Sequence, residues 1–431
     1  MGGPMRVFIF LALFLTSCGV AGSGEKRSAA DQYSTNPFDD VQPIVVPEEG
    51  LAQGQSVARI DDSVWAVGFT KAFVESAGDQ NVLFTRTDDG GATWTEPVPF
   101  EENADSRHPA GWVEIAYVPK SDLLYAIYFW NETSSPLRDG TDIFYRVSHD
   151  RGDTWSDRQK ISLDGLSIFE GSDTRNGWFM DRPFVTSNGA LIVGVSLMKP
   201  STIKDGPDRW HTEVFFLRFP DAVHTGAGDP IVVQVTPTTG VGLSVPHPDS
   251  GLPFANEPSI AEWNGRLICI VRSRTGVINY SESFDDGVTW SALQPLRYYA
   301  GGPPLLHPNG PTTIRRFKDD TVGILFNNNP GGTWYLDGVW SEGWEPRFPV
   351  YLVAGRVSGT DENAGLYFGT PEIVLSHVGK PGTPTLRRAS YPELFIDDDE
   401  TYLFYSIDKQ GIFFKPLSEE LIERAKPALR E

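Results

Sequence analysis

Apolar and polar residues alternate along this chain in short bursts. Six apolar runs of six to eight residues stand out, at Ser63 to Thr70, Leu123 to Trp130, Ala190 to Leu197, Leu267 to Arg272, Val322 to Asn327 and Thr401 to Ser406. Each is too short for a typical helix and rich in β-branched or aromatic residues, so each predicts a buried strand. The segments Val82 to Arg86, Ile143 to Val147 and Val277 to Ser281 alternate residue by residue and run into Gly-containing turns, which predicts hairpins. Helical periodicity is confined to Leu417 to Ala425, read as one short terminal helix.

The turns after those hairpin strands repeat. Thr87 to Trp94, Ser148 to Trp155 and Ser283 to Trp290 all read Ser/Thr-x-Asp-x-Gly-x-Thr-Trp. The Asp carboxylate can take backbone N–H groups across a tight turn, the Gly supplies a positive φ, and the Trp packs back on the sheet. This pattern resembles the Asp-box proteins, above all the sialidases, in which the box is a structural turn on the rim of a propeller blade. The resemblance gives Asp89, Asp150 and Asp285 no catalytic role. A calcium site there is disfavoured too, because each turn has one or two carboxylates and no Asp-x-Asp-x-Asp series.

The second box starts 61 residues after the first and the third 135 after the second, close to two repeats. Residues 42 to 418 then divide into six units of roughly 63, each long enough for a four-stranded blade. The expectation is an all-β, six-bladed β-propeller over residues 42–431. Ile44 to Val46, after Pro43, would close the ring as an edge strand of the C-terminal blade.

The N-terminus has one basic residue, Arg6, an apolar run from Val7 to Leu15, and small residues up to Cys18. That is a secretory signal, too short to span a membrane as a helix. Leu15-Thr16-Ser17-Cys18 resembles the lipobox of bacterial lipoproteins, which implies a signal over residues 1–17, a lipidated Cys18 and a flexible tether over 18–41. The protein would be exported and held on a membrane by its lipid, facing the periplasm or cell surface. An ordinary signal cleaved near Ala21 or Gly24 is the alternative. The second of the two cysteines, Cys269, lies in an apolar strand and reads as inert core.

Composition narrows the partners. With 57 Asp+Glu against 36 Lys+Arg the net charge is −21, and no basic run offsets it, which excludes nucleic acid as a partner. The 43 Gly, 33 Pro and 12% aromatic residues agree with many turns and strands. The seven His show no metal-binding spacing and no Gly-rich phosphate loop is present, so no metal or cofactor is expected.

Four segments resemble the sialidase active-site pattern. Asn256-Glu257, an apolar strand, a turn at Asn264-Gly265, a second strand and Arg272 match one blade. The resemblance implies that Glu257 polarises the nucleophile and that Arg272 binds a substrate carboxylate. Taken without the family, the two lie 15 residues apart across a hairpin and can reach one end of a blade, or form a surface ion pair. In the next blade the resemblance selects Arg347 for the carboxylate clamp, with Arg315 and Arg316 in a strand and facing solvent, or one of them taking its place. Tyr391, in Ser390-Tyr391-Pro392-Glu393, matches the nucleophilic Tyr. A neutral phenol suits an anomeric carbon that already bears a carboxylate, since an Asp or Glu nucleophile would be repelled; a plain core Tyr is the alternative. The early clamp Arg has only Arg59 to match it, the general acid falls to Asp79, and the family's late Glu is replaced by Ser406. His108 and Met180 to Pro183 begin strands and could line the funnel.

The resemblance therefore implies a retaining glycoside hydrolase that releases sialic acid or a related acidic sugar from a glycan. Two rivals keep the propeller: a glycosidase or lyase acting on uronic-acid polysaccharide, using Arg272, Tyr391 and His108, and a glycan-binding propeller without catalysis.

Overall fold

Short turns between apolar strands leave no room for crossover helices, so consecutive strands pair antiparallel. The computed structural model describes residues 33–428 apart from 74–78, 102–107, 132–140, 173–174, 200–210, 227, 264, 332–334, 337–338, 341–346, 359–364, 377, 380–385, 388 and 399. The expected signal over 1–17 and Cys18 lie outside the described residues.

Within the unit Ser34–Glu431 the chain forms a β-propeller arrangement. The first blade runs Leu51–Asp61, Val64–Ala72, Asn81–Thr87 and Val98–Pro99. The second runs Ala110–Val118, Leu123–Trp130, Asp142–Ser148 and Gln159–Ile161. The third splits its first strand into Gly177–Trp178 and Phe184–Val185, both on Leu191–Met198, and continues through Thr212–Phe219. The fourth runs Asn256–Trp263, Arg266–Arg272, Asn279–Ser283 and Gln294–Pro295. The fifth runs Thr313–Arg316, Val322–Phe326 and Val350–Ser358, with Gly365–Phe368 and Glu372–Leu375 both paired to that last strand.

These five blades are each one stretch of chain. The sheet that closes the ring is different: Gln42–Val45 pairs with Ile412–Leu417, which is followed by Glu400–Ile407 and Ala389–Asp397. Six equal consecutive units were expected; the structure has five, plus a sheet shared by the two ends. A terminal edge strand of this kind gives the last sheet backbone partners that its own chain segment does not supply. The expected terminal helix is Glu419–Ala425, beginning where the Ser418 hydroxyl accepts the Leu421 N–H at 3.4 Å.

Apolar faces of adjacent sheets pack on one another. Trp65, Val67 and Phe69 of the first blade meet Phe395, Phe404 and Phe414 of the closing sheet. Ile268 and Ile270 of the fourth meet Ile314 and Ile324 of the fifth. Cys269 is fully buried between the third and fourth, and burial pushes its thiol well above the ordinary range.

The three repeated turns share one geometry. Asp89, Asp150 and Asp285 each accept the backbone N–H of the Thr four residues on, at 2.8 Å, and its hydroxyl as well. These bonds favour the carboxylate, and the pKa of Asp89 falls to about 2, with the Thr93 hydroxyl as first cause. The Gly is needed for a second reason: a Cβ on Gly152 would lie 2.3 Å from the Phe84 ring. The Trp packs on clusters that its own sheet and the preceding sheet share. Trp94 packs on Phe414, Trp155 on Phe84 and Phe100, and Trp290 on Phe216, so each turn fastens its blade to the one before.

Candidate functional site

The first strands of the blades meet around the axis. Ile115 N–H donates to Ser56 Oγ (3.0 Å) and Ile314 N–H to Ser259 Oγ (2.8 Å), linking neighbouring first strands directly. Four of these strands carry a bulge at the same place: register shifts fall between Gln53 and Ser56, Gly111 and Glu114, Asn256 and Ser259, and Ser390 and Glu393. The residues with left-handed backbone there are Gly54 (φ 61°), Trp112 (φ 53°), Glu257 (φ 49°) and Tyr391 (φ 56°). A bulge leaves one residue out of the ladder and re-aims its side chain. Two residues selected from sequence, Glu257 and Tyr391, thus hold equivalent positions on two sheets. For a side chain larger than Gly this conformation costs about 1–2 kcal/mol, so Trp112, Glu257 and Tyr391 each carry backbone strain.

Two residues beyond each bulge the strand turns inward again. Glu114 and Glu393 occupy two of these inner positions; Arg315 of the fifth blade bonds to Glu393, and its charge also acts on Glu114. Arg315 donates to both oxygens of Asp181, and also to Glu393 Oε1 (3.2 Å) and Ser259 Oγ (3.1 Å). Arg182 lies 3.5 Å from the same Glu393 oxygen. The solvent-facing expectation for Arg315 is therefore corrected: it is 5% exposed, and only Arg316 points out. Two consecutive Arg in a strand must face opposite ways. The inward one is tolerated because carboxylates from the third blade and the closing sheet meet it.

The candidate residues fall into a hydrogen-bonded pair, Glu257 and Arg272, and a pair that shares a pocket, Arg347 and Tyr391. Arg272, directly across the strand pair from Asn256, donates to Glu257 Oε1 at 2.6 Å. Trp178 Nε1–H donates to the same oxygen at 3.3 Å, while Glu257 Oε2 is buried with no hydrogen-bond partner. Arg272 Nε–H also donates to Asn309 Oδ1 (2.6 Å). The neighbouring Gly310 lies under Arg347: a Cβ there would be 3.3 Å from Arg347 Cγ. Arg347 and Tyr391 then line one pocket with Asn327, Phe348, Ser390 and Pro392. The Tyr391 carbonyl accepts Gln55 Nε2–H at 2.7 Å, and Lys409 Nζ lies 5.1 Å from the Tyr391 ring centre. Asn309 and Gly310 lie between the Glu257–Arg272 pair and the pocket lined by Arg347 and Tyr391.

Asp79 and Arg59 sit differently. Asp79 Oδ2 accepts the Phe73 N–H at 2.7 Å, tying the ends of a loop whose residues 74–78 lie outside the described residues. Arg59 is bound by Asp62 (2.7 Å), Asp398 (2.8 Å) and Asp397, joining the first blade to the closing sheet. Among the described residues no group of three His, Cys, Asp or Glu is arranged to hold a metal ion.

His307 was not selected from sequence, where an isolated His gives no signal. Its Nδ1 accepts the Asn327 N–H (3.2 Å), which leaves the proton on Nε2, facing the Gly310 carbonyl at 2.9 Å. Burial lowers its pKa to about 4, and the Arg272 and Arg347 charges push in the same direction. Because the unfolded ring titrates near 6.5, its contribution to stability is complete above that pH and is lost as pH falls through 4. Between pH 7 and 4.5 this one group should cost roughly 2–3 kcal/mol of stability. A His307→Gln variant should flatten that part of the urea-midpoint profile; an unchanged slope would rule the assignment out.

Residues 65–402 match the family model described as BNR repeat-like domain. No curated protein matches the chain. Among solved structures the chain is similar to a Hadza microbial sialidase, at 13% identity and a TM-score of 0.59 over 86% of this chain. It spans 66% of the length of that protein. The NanB sialidase from Streptococcus pneumoniae matches at 12% identity and TM-score 0.60, over 89% of this chain and 71% of that one. The intramolecular trans-sialidase from Ruminococcus gnavus matches at 14% and 0.59, over 89% of this chain and 96% of that one. Likeness at these identities establishes a common fold.

Proposed function

The chain belongs to the BNR repeat-like domain family, within the sialidase and BNR-repeat superfamily, and from that premise we propose that it is a retaining glycoside hydrolase acting on terminal sialic acid or a related acidic sugar. The observation that carries this reading is a carboxylate and a guanidinium, Glu257 and Arg272, hydrogen-bonded to one another and through Arg272 to Asn309, whose neighbour Gly310 adjoins a pocket lined by a second guanidinium and a phenol, Arg347 and Tyr391. Arg272 and Arg347 hold the substrate carboxylate. Tyr391 Oη attacks the anomeric carbon as the glycosidic C–O bond breaks. The phenolic proton passes to Glu257, whose Oε2 has no other partner, and Asp79 protonates the leaving oxygen. Water then opens the glycosyl-tyrosine with retention.

The same proposal includes the closing sheet as a sixth blade, supported by its four antiparallel strands and its packing against the first blade. It also includes export by residues 1–17 and lipidation of Cys18, supported by the sequence Leu15 to Cys18. With a net charge of −21, capture of an anionic sugar rests on the local Arg pair and should weaken as salt rises.

The test is turnover of an aryl sialoside and of a panel of sialylated and uronic-acid glycans by the purified protein. Release of sialic acid supports the proposal. New ultraviolet absorbance from an unsaturated uronate would replace it with a lyase, and binding without turnover of any glycan would replace it with a lectin.

A further inference from the structure

The hairpin turn between Glu400–Ile407 and Ile412–Leu417 holds a residue that its geometry disfavours. Gln410 N–H donates to the Ile407 carbonyl at 2.9 Å, which makes Asp408 and Lys409 the two central residues. Both have left-handed backbone, with φ 52° and 59°. Turns of this kind favour Asn-Gly or Asp-Gly, because Gly takes the second place without strain. A Lys there costs about 1–2 kcal/mol. The turn is nonetheless fixed in place, since the Lys409 carbonyl accepts the Ala52 N–H of the first blade at 2.9 Å.

That conformation places a buried ammonium beside Tyr391. Lys409 is 9% exposed, and its Nζ stands 5.1 Å from the centre of the Tyr391 ring, within the range of attraction between a cation and an aromatic face. Arg347 lines the pocket on which Tyr391 also opens, and Gln55, which bonds the Tyr391 carbonyl, is a neutral amide. Glu393, two residues along the strand, is turned to Arg315 and Arg182. The cation expected from the first blade, Arg59, is held by Asp62, Asp397 and Asp398.

Resting on the proposed hydrolase reading, we propose that Lys409 activates Tyr391 by stabilising the negative charge that its phenol oxygen carries in both halves of the reaction. In the first half the bond from Oη to the anomeric carbon forms, the glycosidic C–O bond breaks, and the phenolic proton passes to Glu257. In the second, water attacks the same carbon and gives a proton to Asp79, while the Tyr391 oxygen departs and recovers its proton from Glu257. The oxygen is partly phenolate in each transition state. A cation over the ring is attracted more strongly to a phenolate than to a phenol, so it lowers both barriers without touching the sugar. Lys409 therefore acts through Tyr391, as a positioned charge.

Two variants remove that charge in different ways. Lys409→Met keeps the length of the side chain, and Lys409→Gly also relaxes the turn, so the Gly variant should retain the wild-type urea midpoint. Carbon-13 NMR of labelled tyrosine, with the Tyr391 signal identified by its absence in Tyr391→Phe, reads the phenol without any turnover. Its ionisation should move up by about one pH unit in both variants and return in Lys409→Arg. With an aryl sialoside, kcat should fall about tenfold in both, with KM within about twofold, and recover in Lys409→Arg. An unmoved phenol overturns the proposal whatever happens to kcat, and so does a shift that Arg does not reverse. A phenol that moves in a protein that turns over no sialoside keeps the action of Lys409 on Tyr391 and removes the hydrolase reading alone.

Discussion

Tyr391→Phe is expected to leave the protein folded and to remove hydrolysis, with kcat falling by roughly 10³-fold or more, the loss typical of deleting a nucleophile. The variant isolates the hydroxyl. Phe keeps the ring in its pocket beside Arg347 and near the Lys409 ammonium, and the Gln55 contact is to the backbone carbonyl, which does not change. Phe and Tyr pay alike for the left-handed φ of 56°, so stability should move by less than about 1 kcal/mol. The measurement pairs kcat with a urea midpoint. Activity above a tenth of wild type would remove Tyr391 from the reaction and favour Glu257 or a water as the attacking group. Loss of activity together with fold would say only that the position is structural, and Glu257→Gln, at the equivalent bulge, then becomes the deciding variant.

The six apolar runs legible in the sequence all fall on the second strand of a sheet: Val64–Ala72, Leu123–Trp130, Leu191–Met198, Arg266–Arg272, Val322–Phe326 and Glu400–Ile407. A second strand is flanked by partners on both edges and covered by blades on both faces, so nearly every position is apolar; all eight residues of Leu123–Trp130 are buried. The first strands were far less legible, for a physical reason. They face one another around the axis, where Arg315 meets Ser259, Asp181 and Glu393 across sheet boundaries, and a single strand shows only a polar residue in an apolar run. Arg315 meets Asp181 from 134 residues away and Glu393 from 78, separations that no local pattern records. Glu257 and Arg272 were legible because one hairpin carries both. His307 was not, because it acts through two loop carbonyl and amide contacts.

Arg315→Leu should be the most destabilising single change in the axis, costing about 3–5 kcal/mol, because it strands Asp181 and Glu393 as buried carboxylates with Arg182 as their remaining cation. Its pH dependence identifies the cause. In the wild type, Glu114 and Glu393 already titrate above the ordinary 4.5; burial is the first cause for both, and the Arg315 charge opposes the rise in each. A raised carboxyl adds stability below its unfolded value and withdraws it as pH climbs through its folded value. Removing Arg315 raises these folded values further, so the deficit should be small near pH 4.5 and grow toward pH 8. Urea unfolding at both pH values measures it. Adding Asp181→Asn and Glu393→Gln to Arg315→Leu removes the stranded charges, and should recover most of the loss at pH 8 and little at pH 4.5. A deficit equal at both pH values would mean that Arg315 acts by filling space. A recovered deficit would mean that the ring is held at its centre by charge balance, with the bulges that carry Glu257 and Tyr391 seated two residues above it.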